Sequence, residues 1–422
     1  MIRSEISKFK EGEDNSNENK NENPGSTIEQ LLLKDLKNVA NEYIEIENIK
    51  KRFSNIVLQN LNTLKFQQFI DNGKFYIKEN LIKKSVNSSD ISGLNVVSVD
   101  GSSVIKKFMN VDFIFLKAIG VKYHFYQNQS AKIEYFPDLH GFNNYDLQGN
   151  FLNREGQVID TKSSLDMTLM EIQLLNQMIE KYDDIDVIIL DGSIVIMPIH
   201  LLFSKDYEVS QKYDRLLKEY KKLYSNCQEE RIILTGCIKD TNSRSLTNLF
   251  RDAIQLLKPS YSNLKDFIDI NYRQVMEYFG DVDLFSRILK KSERSCIFNC
   301  KREIDKIRDT GIKKEISYYF PLSFYAFYLK AAKYDVPCRI EFFMDEKHDI
   351  KEARKKANLI SSILMPISNL NENYGLPIPQ IEAHRRAVFK PHEVNLLFKN
   401  LTRTLNSYGI KLQEKRRNRR PF

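Results

Sequence analysis

The stretch NVVSVDGSSV, residues 95–104, decides the fold. It opens with β-branched apolar residues around one serine, the composition of a strand buried on both faces, and then meets an aspartate, a glycine and two serines. A carboxylate at the end of a buried run, with glycine to turn the backbone and serine to satisfy freed backbone groups, is expected at the carboxyl end of a central strand in an open α/β sheet. The same grammar recurs in VIILDGSI, residues 187–194. One such segment reads as a strand-ending Asx turn. Two, on strands that can be neighbours in one sheet, read as a shared carboxylate site made by Asp100 and Asp191.

Working outward, FIFLKAIGVKYHFY (113–126) has strand composition and fits an antiparallel neighbour of the first strand. Residues 137–156 are polar and turn-rich. The segment SSLDMTLMEIQLLNQMIEKY (163–182) then reads as a helix opened by Ser163 and Ser164, ahead of the buried strand that ends at Asp191. Strands, helix, strand is the order found at the start of ribonuclease H-like sheets. RIILTGC (231–237) and PCRIEFFM (337–344) read as further strands, and KEARKKANLISSILM (351–365) as a helix stopping before Pro366. The expected fold class is therefore α/β: a ribonuclease H-like mixed sheet flanked by helices, with a long N-terminal helix and a helical insertion.

The expected organisation follows from composition along the chain. Residues 1–25 form an acidic, Asn-rich leader that cannot offset its ordering entropy. Residues 26–94 are an N-terminal helical region, opened by a capping box at Ser26 and Glu29. Residues 95–259 are the first part of the core, 260–315 a polar helical insertion or subdomain, 316–410 the C-terminal part of the core, and 411–422 a basic tail. The apolar runs, such as Ile194–Ile199, break long before the roughly 20 residues needed to span a bilayer, so no membrane segment is expected. The N-terminus has no apolar stretch to serve as a signal-peptide core, and a soluble, cytoplasmic protein follows. Five cysteines at scattered spacings, with no CxxC pair, read as reduced and packed. The formal charge of +8, from 64 Lys+Arg against 56 Asp+Glu, is a mild bias toward polyanions.

Between the two aspartates lies the more informative residue. Met167, Glu171, Leu174, Leu175 and Met178 fall on one helical face, so Glu171 sits inside the apolar stripe that must face the sheet. A carboxylate there is costly unless it is ion-paired or bound to a cation. Asp100, Glu171 and Asp191 converging without the Cys or His spacing of a zinc site specify a hard cation held by oxygen, Mn²⁺ or Mg²⁺. Such sites serve phosphoryl transfer, and on a basic protein the natural phosphate is nucleic acid. Late in the chain, YGLPIPQIEAHRRAVFKPHE (374–393) places His384 beside Arg385 and Arg386, one imidazole and two guanidiniums suited to a phosphodiester. Arg416 and Arg417 in the tail are further candidate phosphate contacts. Glu341 and Asp345 are reserve acidic ligands, read first as a strand charge and a turn residue.

The order Asp-Gly-Ser, helical Glu, Asp-Gly-Ser and a late PIPQIEAHR (377–385) resembles the NurA nuclease family, over about residues 95–398. The resemblance implies a ribonuclease H-like catalytic fold, Mn²⁺-dependent 5′-to-3′ exonuclease and single-strand endonuclease activity on DNA, and a homodimer. It also implies work with a HerA-type hexameric helicase-translocase in resecting double-strand breaks. Carried over by position, the family's metal-binding aspartates match Asp100 and Asp191, its helical glutamate Glu171 and its late histidine His384. The family often has a functional tyrosine just before the Pro-x-Pro run, where this sequence has Leu376, and the nearest candidate is Tyr374. Two other readings stay open: a non-catalytic DNA-binding or scaffold subunit, and an actin/hexokinase-like phosphotransferase. The second predicts a Gly-rich nucleotide segment, which a chain with 15 Gly and no Gly-Gly pair meets poorly.

Overall fold

A computed structural model of the chain describes residues 24–62, 64, 66, 77–138, 145–151, 156–196, 206–257, 270–300, 322–345 and 350–414. The chain divides into two units, Met1–Arg52 and Phe53–Phe422. Helix α1 (Pro24–Gln59) supplies all the described residues of the first unit, and its last turns belong to the second. It starts two residues before Ser26, with proline in its first turn, where a missing N–H costs nothing. The leader up to residue 23 lies outside the described residues.

The second unit is built on one mixed sheet. Its strands are β1 (Lys83–Ser85), β2 (Asn95–Lys107), β3 (Asp112–His124), β4 (Lys132–Phe136), β5 (Tyr145–Asn150), β6 (Val187–Asp191), β7 (Ile233–Ile238), β8 (Glu293–Ser295), β9 (Phe298–Asn299), β10 (Leu322–Lys330) and β11 (Cys338–Asp345). They are ordered β1-β8-β10-β11-β7-β6-β2-β3-β4, with β5 pairing β3 and β9 pairing β10. β2, β6 and β7 run parallel at the centre, and the pairings on either side are antiparallel.

The period-2 alternation of the central strands explains the layers. Ile188 and Leu190 of β6 face a core shared with α2 (Gly156–Lys181) and α3 (Tyr207–Glu229), through Leu175, Met178 and Tyr220. Val187 and Ile189 face the opposite core, beneath α7 (Ile350–Ser368), with Ile360 and Leu364. Both faces of the sheet are covered, which is why β6 is an unbroken apolar run. Among the described residues, no helix is long and apolar enough to cross a membrane.

The structure corrects several expectations. β2 does not end at Asp100: it runs on to Lys107, because β3 pairs with it residue for residue from Asn95↔His124 to Lys107↔Asp112. Only its parallel partner β6 stops there. Helix α2 begins at Gly156 rather than Ser163, and the turn-rich stretch before it contains β5, an exposed edge strand without an apolar face to reveal it. Helix α7 continues through Pro366 to Ser368. Proline leaves the carbonyl four residues earlier without its helical donor, and here the Ser89 amide donates to the Ser362 carbonyl at 3.0 Å. The region expected as a helical insertion, 260–315, follows α4 (Ser245–Leu257) and contributes the short helices α5 (Tyr272–Val275) and α6 (Asp281–Ile288), and also β8 and β9 of the main sheet. Its segments 260–269 and 301–315 lie outside the described residues.

Candidate metal centre

The parallel register pairs Val99 of β2 with Leu190 of β6, so the next residue on each strand, Asp100 and Asp191, emerges side by side where β6 ends. The two glycines that follow serve different needs. Gly192 has φ +124°, a conformation that side chains with a Cβ rarely adopt, and it turns the chain out of β6. Gly101 remains in strand but is overlain by α2: a Cβ there would lie 2.5 Å from Glu171 Oε1 and 2.8 Å from Met167 Cγ. The missing side chain is what lets Glu171 reach the strand beside Asp100.

Helix α8 (Ile378–Ala387) packs against β2 in mid-strand and against β6. Its Gln380 and His384, four residues apart, share one helical face. His384 Nδ1 lies 2.7 Å from Asp100 Oδ2, and the Gly101 amide donates to Asp100 Oδ1 at 2.9 Å. Gln380 Nε2 donates to Asp191 Oδ1 at 2.7 Å and to the Cys237 carbonyl at 3.1 Å. Lys239, just past β7, donates to Asp191 Oδ2 at 2.5 Å. A cavity of about 660 Å³ opens at this cluster and reaches Glu171, Tyr220, Arg339 and Glu341.

Charge crowding is the dominant electrostatic fact. Burial pushes the Glu171 carboxyl well above its ordinary value of 4.5, the charges of Asp100 and Asp191 push it further, and the Gly101 amide opposes them. Among the described residues no Lys or Arg is paired with it, so the buried ion pair that would have made Glu171 structural is not formed. Burial and then Asp191 raise Asp100 as well, with His384 and Lys239 pulling the other way. For Lys239, burial acts to lower its pKa, but the hydrogen bond and charge of Asp191, with Asp100 and Tyr374 behind them, hold it above its usual value.

Asp100, Asp191 and His384 each offer one ligand atom, and these atoms lie within 4.8 Å of one another. Two carboxylates and an imidazole form a donor set suited to Mn²⁺ or Mg²⁺, with no thiolate to favour zinc. The buried Gln380 Oε1 has no hydrogen-bond partner, a further polar atom beside the cluster. The residues present fit a divalent cation. Glu171 lines the same cavity, adjoining this three-ligand group. The His384 side chain is 55% exposed, whereas that of Asp100 is 11% exposed.

Other expected site residues fall elsewhere. Arg385 and Arg386 both pair with Glu382, at 2.8 Å each, and Arg386 also reaches the Tyr135 hydroxyl. They stand on the face of α8 turned toward β4, away from Gln380 and His384. Tyr374 is exposed, in a turn bridged to Asn371 and near Lys239 but outside the cavity lining. Leu376 is packed in the core beneath α7. Glu341 is not a solvated strand charge: it is buried, receives Ser193 Oγ at 2.5 Å and the Ile194 amide at 3.2 Å, and pairs with Arg339, bracing the loop that follows Asp191. Arg416 and Arg417 lie outside the described residues. Sequence reasoning assigned no role to Lys239 or Gln380. For Gln380 a signal was present, its spacing of four from His384; for Lys239 there was none.

The NurA domain family model matches residues 94–389, most of the chain. Similar solved structures include a NurA nuclease from Sulfolobus solfataricus, with 17% identity, 88% of this chain and 97% of that chain covered, and a TM-score of 0.49. Another structure of NurA has 12% identity, 87% and 97% covered, and a TM-score of 0.38, and one of NurA bound to dAMP and manganese has 12%, 87% and 94% covered, and 0.35. No curated protein matches the sequence.

Proposed function

This chain belongs to the NurA family, and on that premise we propose that it is a metal-dependent deoxyribonuclease that hydrolyses phosphodiester bonds of DNA. The observation that carries the reading is the meeting of Asp100, Asp191 and His384 within 4.8 Å, at the rim of a cavity that also contains Glu171. The strand order β4-β3-β2-β6-β7, with β3 alone antiparallel to its neighbours, supports a ribonuclease H-like core.

Asp100, Asp191 and His384 would hold the cation, Mn²⁺ or Mg²⁺. When bound, it supplies Lewis-acid activation of water and charge neutralisation at the phosphate. The chain's own groups do the rest. Gln380 fixes the orientation of Asp191, as His384 and the Gly101 amide fix that of Asp100. Glu171, desolvated and crowded by two carboxylates, is poised to take up or release a proton inside the cavity. The apolar lining from Leu165, Ile172 and Leu216 excludes bulk water. Arg385 and Arg386, both held by Glu382, and Arg416 and Arg417 of the basic tail are assigned to the DNA backbone.

Family membership extends the reading to 5′-to-3′ exonuclease and single-strand endonuclease activity in the cytoplasm, with a HerA-type hexameric translocase in end resection. A homodimer fits the exposed face of α1, where Leu32, Leu36, Val39 and Tyr43 recur at intervals of four, three and four, the seam of a helix that pairs with another helix. A second reading, a DNA-binding subunit without cleavage, is favoured by one observation: the position of the family's tyrosine is Leu376, buried in the core. Cleavage of end-labelled DNA with Mn²⁺, Mg²⁺ or EDTA separates the two. Cutting that EDTA abolishes supports the nuclease; binding that survives EDTA, with no cutting in any metal, supports the subunit.

A further inference from the structure

Lys239 stands where a cation is most needed when no metal is bound. It follows β7 directly, its side chain is three-quarters buried, and its Nζ lies 2.5 Å from Asp191 Oδ2. The other oxygen of Asp191 is taken by Gln380 at 2.7 Å, while both oxygens of Asp100 are occupied by His384 and the Gly101 amide. Among the described residues, the only formal positive charge on the Asp100–Asp191 pair that does not depend on protonating a histidine is therefore this ammonium. Arg339, the other cation at the cavity, is turned away into its pairing with Glu341.

We propose that Lys239 is a positioning residue that competes with the divalent cation for Asp191. It holds the two carboxylates together in the metal-free protein and sets the metal concentration at which the site fills. The inference rests on the metal-centre reading above. Two adjacent carboxylates repel each other, and a single ammonium on one of them relieves that repulsion without closing the site. A lysine suits this better than an arginine: it is a compact charge on a flexible four-carbon stem with no fixed fork, so it can leave one oxygen without breaking a bidentate pair. Its exposed quarter gives it a route outward. A cation that enters at Asp191 Oδ2 must first displace it, and the apparent metal affinity is lowered by the stability of the ion pair it breaks.

The test is Mn²⁺ titration of the full chain by calorimetry, comparing wild type with Lys239→Met, Lys239→Gln and Lys239→Arg. Removing the competing charge in either neutral variant should tighten Mn²⁺ binding by about tenfold, and should lower thermal stability in EDTA, where the carboxylates then face each other unrelieved. Lys239→Arg, which keeps the charge and adds a planar fork able to pair with a carboxylate through two N–H groups, should bind Mn²⁺ no more tightly than wild type. The sign is decisive, because a merely structural lysine would weaken metal binding when lost. Unchanged or weaker binding in both neutral variants overturns the inference while leaving the metal centre standing. Wild-type protein that takes up no Mn²⁺ overturns both.

Discussion

His384 Nδ1 sits 2.7 Å from Asp100 Oδ2, joining a helix near the end of the chain to a strand 284 residues earlier. The contact ties α8 to β2, as Gln380 ties the same helix to β6 through Asp191. Two parallel strands and one helix packed on them thereby fix the three ligand atoms, and each has a partner that orients it before any cation arrives. Preorganisation of this kind keeps ligand orientation from being settled only at the moment of binding.

Glu171 gives the site a pH signature. Its folded-state pKa is raised, by burial first and then by Asp100 and Asp191, so its protonated form is favoured in the fold. Below the unfolded value of about 4.5 that contribution to stability is fully present. It is lost as pH rises through the folded pKa, because the folded chain binds more protons than the unfolded one across that window. In EDTA, wild-type thermal stability should therefore fall as pH rises above about 4.5, and Glu171→Gln should flatten the fall and raise the midpoint on the alkaline side by about 2–4 °C. Parallel pH profiles of the two proteins would contradict the assignment.

Gly101 tests the packing argument. In Gly101→Ala the new methyl would meet Glu171 Oε1 at 2.5 Å and Met167 Cγ at 2.8 Å, so the α2 side chains must shift. Overpacking of this kind costs about 1–3 kcal/mol. A urea midpoint lowered to match, together with weaker Mn²⁺ uptake, is the expected result. An alanine variant as stable as wild type would show that α2 approaches β2 less closely than described.

The α1 stripe tests the proposed dimer. Leu36 and Val39 are each 65% exposed, at the centre of the four-three-four pattern. Leu36→Asp with Val39→Asp should leave the secondary structure intact and shift the sedimenting species from dimer to monomer at micromolar concentration. A double variant that sediments as wild type does would move the interface elsewhere.

The central strands could be read from sequence because burial on both faces removes polar interruptions until the chain reaches the sheet's carboxyl end, where Asp100 and Asp191 stand. Glu171 was legible for the opposite reason, a charge where helical periodicity demands an apolar residue. β8 and β9, three and two residues long, carry too little pattern to register, and β5 is an exposed edge strand. Lys239 was invisible because a single lysine after a strand looks like any solvated one, and only the pairing of β6 with β7 puts it against Asp191. The arginines beside His384 are legible as cations, but the sequence does not show that α8 turns them toward Glu382 and Tyr135.

The most direct measurement is cleavage of end-labelled single- and double-stranded DNA by the purified full chain in Mn²⁺, Mg²⁺ or EDTA, beside Asp191→Asn. Loss of an outer partner of a metal ligand costs 10–100-fold, so loss of a ligand should cost at least about 100-fold in rate. Metal-dependent cutting by wild type that disappears in the variant is the predicted result. A variant that cuts at the wild-type rate, or a wild type that cuts in no metal, would contradict the account.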